Sequence, residues 1–127
     1  DEVGIVTKSP SVPRLFSNDV IYDSHIDYNK LDIDGTQLIT KPVGGHIISD
    51  MELIRMTSEE RNQAFIDEGI GDNFDFNKNC RAMSKYHNLR MGVLRLSEYL
   101  PIMDNEKMVR EARIKKYNEL KQKEILI

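Results

Sequence analysis

The sequence predicts an α+β fold with an extended N-terminal arm, a small β-hairpin region and a mainly α-helical C-terminal half carrying a helical hairpin. Three observations predict it. Strand-forming residues and turn pairs concentrate in residues 19–48, two helix-capping patterns follow directly, and an apolar seam of helical spacing runs from Ala82 to Leu100. The length of 127 residues suits one domain. The reading is an arm over 1–18 and a single small domain over 19–127, divided into a β region (19–48) and a helical region (49–127).

Residues 1–18 hold Pro10 and Pro13, several serines and no periodicity, so they read as an extended arm. Val20-Ile21-Tyr22 reads as a short strand. Asp34-Gly35 is the signature of a two-residue type I′ hairpin turn, which would pair Ile33 with Thr36 and Leu31 with Leu38. Pro42 ends or edges the second strand. Gly44-Gly45 is expected to turn the chain again before His46-Ile47-Ile48. Ser49 with Glu52, and Thr57 with Glu60, have the spacing of capping boxes. The second of these helices should run to about Glu68, with Gly69 just past its end. A loop over 69–78 is anchored by Phe74 and Phe76.

Ala82, Tyr86, Leu89, Val93, Leu96 and Leu100 are spaced 4, 3, 4, 3 and 4, an a/d seam that predicts a helix stopped by Pro101. Gly92 weakens that helix. Asp104 or Asn105 can cap a last, strongly charged helix through about Glu124, folding back as the second arm of a helical hairpin.

Charge is unevenly spread. Residues 17–76 carry thirteen acids against four bases, net −9, and residues 77–127 carry twelve bases against six acids, net +6. Such a division predicts an acidic part and a basic part that attract each other, or attract a neighbouring copy. The apolar fraction is 39% and the charged fraction 31%. That balance suits a protein with much surface, or one that completes its core against a partner. One cysteine, Cys80, excludes an internal disulfide, and no Asn-x-Ser/Thr acceptor occurs. A secreted disulfide-rich protein is therefore not expected. Apolar runs are too short for a membrane span.

Candidate chemistry is sparse. His25, His46, His87 and Cys80 are the imidazole and thiol groups, and none has the close spacing of a zinc site. Cys80 reads as a small buried hydrophobe, with His87 seven residues on along one helical face. Asp32-Ile33-Asp34-Gly35 resembles the middle of a calcium loop, but Lys30 and Lys41 fall where oxygen ligands belong. Lys41-Pro42-Val43-Gly44-Gly45 matches no phosphate-binding loop, and no Gly-x-Ser-x-Gly elbow is present. The expectation is no catalytic residue, no metal ligand and no cofactor.

The functional expectation is a non-catalytic structural subunit of a larger assembly, a virion or organelle complex, with other protein subunits as partners and a homo-oligomer among the arrangements. The chain opens at Asp1 and ends in Ile125-Leu126-Ile127, which gives the expectation of a processed precursor with an apolar docking tail. Val12, Leu15, Phe16, Ile125, Leu126 and Ile127 are the expected partner-binding residues. The alternative is a nucleic-acid-binding protein that uses Arg110, Arg113 and Lys116 of the last helix. Against it, Glu111 with Lys115 and Glu119 with Lys123 are spaced for intrahelical pairs. The seam carries a test. Leu96→Ala should lower stability by about 2–5 kcal/mol. If the seam is intramolecular, the melting temperature should fall by an amount independent of protein concentration.

Overall fold

The computed structural model describes residues 31–38, 41–71 and 78–126. The arm over 1–18, the strand expected at Val20-Ile21-Tyr22 and the anchors Phe74 and Phe76 lie outside the described residues. The elements are β1 (Val43–His46), α1 (Asp50–Leu53), α2 (Ser58–Asp67), β2 (Cys80–Met83), α3 (Lys85–Met91), α4 (Leu96–Tyr99) and α5 (Glu106–Lys121). The protein is α+β: among the described residues, a two-stranded antiparallel sheet has helices between and after its strands.

Two expectations about the strands are corrected. Gly44 and Gly45 do not turn the chain. They lie inside β1, which pairs with β2 in the register Val43↔Met83, Gly44↔Ala82, Gly45↔Arg81, His46↔Cys80. A Cβ on Gly45 would run into the Met83 side chain, so the missing side chain makes room for a neighbour across the sheet. Ala82 and Cys80 are strand residues rather than helical ones, and the region expected to be helical from residue 49 onward contains β2.

The sheet is continued by a side chain. Asn79 is 1% exposed, its Oδ1 accepts from Ile48 N at 2.7 Å, and its Nδ2 donates to Ile48 O at 2.8 Å. The amide thus satisfies both backbone groups of Ile48 where the ladder ends.

The Asp34-Gly35 turn exists with a different register. Leu31 opposes Gln37, Asp32 N donates to Thr36 O, and Gly35 N donates to Asp32 O. Among the described residues only glycines have positive φ, and Gly35 has φ 84°. A type I′ turn needs positive φ at Asp34 too, so the loop is longer than two residues, with Gly35 in the left-handed position of a bulge.

Helix ends follow the side chains that cap them. Ser49 Oγ accepts from Glu52 N at 3.2 Å. Thr57 and Glu60 form the full reciprocal box. At the end of α2, Ile70 N donates to Phe65 O and Gly69 N to Ile66 O, the two bonds of a Schellman motif. Asn105 Oδ1 accepts from Met108 N at 3.1 Å and starts α5, which ends at Lys121, short of Glu124.

The long seam helix does not form. Ser84 caps α3 through His87 N, and Gly92, at φ 55°, ends it after seven residues. The chain then re-enters a helix for one turn in α4. The seam residues consequently scatter: Tyr86 is 61% exposed and Leu89 62%, whereas Leu96 is half-buried. The helical packing of this half comes from α3 against α5.

The core has two clusters. One gathers Ile47, Ile48, Leu53, Ala64, Phe65 and Ile70. The other gathers Ile33, Met83, Met91, Leu94, Tyr99 and Val109. Leu96 packs against both, and its N–H donates to Ile47 O at 3.0 Å. Burial therefore separates residues that the periodicity treated alike. Leu53→Ala should cost about 2–5 kcal/mol, and Leu89→Ala should stay within about 0.5 kcal/mol of the parent, both measured by denaturant unfolding.

Candidate functional site

Two polar networks organise the described residues. The first joins the Asp34 turn to α3 and α4. Asp32 is 6% exposed, and its Oδ1 accepts from Ile33 N at 2.8 Å and Ser84 N at 3.0 Å. These bonds hold the turn against the junction of β2 and α3. Arg81 Nη2 donates to Asp32 O at 3.2 Å. Asp34 Oδ1 accepts from Thr36 N at 2.9 Å and from Thr36 Oγ1 at 2.6 Å. The Thr36 hydroxyl, helped by the Thr36 N–H and His87, outweighs the effect of burial and lowers the Asp34 carboxyl to about 2.

His87 is 6% exposed and lies between two partners. Its Nε2 is 3.1 Å from Asp34 Oδ2 and its Nδ1 is 2.6 Å from Tyr99 OH. Arg90 Nη1 donates to the same phenol at 2.6 Å, and its Nη2 donates to Met103 O at 2.8 Å and reaches Glu106 Oε2 at 2.8 Å. Burial raises the Tyr99 phenol above its ordinary value despite the nearby Arg90. The phenol thus stays protonated and serves both neighbours. The arrangement is a continuous relay, Asp34–His87–Tyr99–Arg90–Glu106, whose outer end brings two carboxylates and an imidazole together.

The second network is a set of ion pairs centred on Glu52, which is 7% exposed. Arg95 donates to Glu52 Oε2 through Nη2 at 2.6 Å and Nε at 2.9 Å. Lys116 Nζ is 2.7 Å from Glu52 Oε1 and also pairs with Glu98. Arg95 Nη1 reaches Glu68 Oε2 at 3.2 Å. Burial pushes the Glu52 carboxyl up, but Arg95 and Lys116 outweigh it and hold it below its usual value of 4.5. Open grooves of about 510 and 460 Å³ flank this centre. Both have charged walls, and Leu126 is among the residues that line the first.

These networks show how the acidic and basic parts of the chain meet. Glu52 and Glu68 pair with Arg95 and Lys116, and Asp34 pairs with His87. The expected site residues are distributed differently. Lys116 is committed to Glu52 and Glu98, Arg113 Nη1 donates to Leu89 O at 3.1 Å, and Arg110 is exposed. Ile125 and Leu126 are about half exposed, and Leu126 N donates to Ile54 O at 2.8 Å, so that part of the tail lies on its own chain. Val12, Leu15, Phe16 and Ile127 lie outside the described residues. Cys80 is fully buried in β2, so it shares no helical face with His87. Sequence reasoning missed the grouping of Asp32, Asp34 and His87, because the histidine lies more than fifty residues from both acids and no spacing rule joins them.

No family model, curated protein or solved structure matches this chain. The functional reading therefore rests on its own geometry.

The Glu52 centre carries a pH prediction. A carboxylate held below its ordinary value contributes stability above pH 4.5 that is lost as the pH falls through the lowered value. Glu52→Gln should cost about 3–5 kcal/mol at neutral pH, since it leaves Arg95 and Lys116 without their shared anion. The variant should also lose part of the acid dependence. Denaturant melts of both proteins across the acid range measure each effect.

Proposed function

We propose that this protein is a non-catalytic structural subunit that assembles with further copies of itself. The observation that supports the reading is a pair of exposed surfaces of complementary character on one chain. The first lies on α5 beside the end of α3. Ile114 is 56% exposed and Tyr117 46%, and helical spacing puts them on one stripe with Arg110 and Lys121. Lys121 stands over the Tyr117 ring at 5.3 Å. Arg113 ties this side of α5 to the end of α3, where Leu89 is exposed. The surface is apolar with a basic rim.

The second surface lies on α2. Ile66 is 49% exposed, Gln63 and Glu59 continue its stripe toward the helix start, and Asp67 lies next to it. It is a single exposed isoleucine with two acids nearby. Exposed apolar groups bordered by charge mark contact surfaces, and the opposite rims favour one copy's α5 against another's α2. Such a contact is head-to-tail and propagates into a ring or a filament.

Sedimentation velocity tests the reading. The mass should rise with protein concentration and fall with added salt. Ile66→Lys and Tyr117→Glu should each stop growth of the assembly. An equimolar mixture of the two variants should form a dimer, because each retains the surface the other lacks. A monomer at every concentration would overturn the proposal. Retardation of DNA or RNA at low salt by that monomer, abolished by charge reversal at Arg110, would replace it with the nucleic-acid reading.

A further inference from the structure

We propose that Asp32, Asp34 and His87 form a binding site for one divalent transition-metal ion of the zinc class. One ligand atom from each residue lies within 4.8 Å of the others. A single ion with ligand bonds of about 2.0–2.2 Å spans such a group after small side-chain adjustments.

The second observation is the way each ligand is held. Asp32 keeps Oδ1 on the Ile33 and Ser84 N–H groups, and Asp34 keeps Oδ1 on Thr36. Among the described residues, the hydrogen bonds of the Asp32 carboxylate all fall on Oδ1. His87 keeps Nδ1 on Tyr99 OH, and that phenol is itself fixed by Arg90. Each residue therefore has one atom anchored from behind, leaving Asp32 Oδ2, Asp34 Oδ2 and His87 Nε2 for a common guest. Metal ligands are oriented in this manner by the groups behind them.

The chemistry selects the ion. Two carboxylates supply two negative charges, and Arg81 Nη2 bonds the Asp32 carbonyl. An imidazole nitrogen disfavours magnesium and calcium, which take oxygen ligands, and suits zinc. Three protein ligands with an exposed side at Asp34 leave a fourth position for water. On binding, the 3.1 Å contact between His87 Nε2 and Asp34 Oδ2 is replaced by two bonds to the ion. None of the three residues belongs to the assembly surfaces on α2 and α5.

The experiment is calorimetric titration of the chelator-treated full chain with Zn²⁺ alone, with Mg²⁺ and Ca²⁺ as comparisons. The expected result is one Zn²⁺ per chain, a raised melting temperature and little response to Mg²⁺ or Ca²⁺. Asp34 is exposed, so Asp34→Asn should preserve the fold while weakening Zn²⁺ binding by more than about tenfold. Substitution of Co²⁺ should give visible absorption bands that change in the same variant. No saturable Zn²⁺ binding, or binding unchanged in Asp34→Asn, would overturn the proposal.

Discussion

Glu52 sits in a four-residue helix with 7% of its surface exposed, and an ionised carboxylate in such a place has lost most of its water. That loss costs several kcal/mol per ion unless the geometry replaces hydration bond for bond. Here it is replaced from two directions, by the guanidinium of Arg95 at the start of α4 and by Lys116 from the middle of α5. The three elements must hold one mutual position for the charge to be tolerated. Arg95 adds Glu68 at the end of α2 to the same centre. The next residue, Leu96, touches both hydrophobic clusters and bonds the backbone of Ile47. Charge pairing and apolar packing thus meet at two consecutive residues.

The rest of the framework is thin and depends on that centre. A two-stranded ribbon is marginal in water by itself. Here it is supported by Asn79, which extends the pairing to Ile48, and by Asp32, which receives the N–H of Ser84 where β2 gives way to α3. Removing the Asn79 amide would leave two buried backbone groups of Ile48 without partners, each worth about 1–3 kcal/mol. The tail is tied down in the same way, through Leu126 N on Ile54 O. Side chains and chain ends carry backbone pairing that a larger sheet would provide itself.

The polar groups also divide by availability. Arg95, Lys116 and Arg113 are occupied inside the chain, so the excess of positive charge after residue 77 is partly spent on the acids before it. Among the exposed side chains that remain, Arg110 and Lys121 lie beside Ile114 and Tyr117 on α5, and Glu59 and Asp67 lie near Ile66 on α2. The proposed contact between copies would use what the fold leaves unspent, and it shares no residue with the Asp32, Asp34 and His87 group.

Local chemistry was legible in the sequence wherever a signal and its effect lie within a few residues. Thr57 with Glu60 built the capping box, Gly69 closed α2, and Asn105 opened α5, because a cap is satisfied by backbone groups one turn away. The α+β class and the attraction between acidic and basic parts were legible too, since composition and charge survive any folding. The seam from Ala82 to Leu100 misled, because its spacing describes one helix only if the chain stays helical throughout. Ser84 and Gly92 were local warnings against that reading, and the pairing of Cys80–Met83 with Val43–His46 settled it from across the sheet. The same distance hid the approach of His87 to Asp34, the amide bridge of Asn79 and the partners of Glu52. The sequence by itself determined caps, turns, charge balance and fold class. Only the tertiary structure decided how Cys80–Met83 pair, which charges were buried and which side chains share a site, because each of those depends on residues that are distant in sequence.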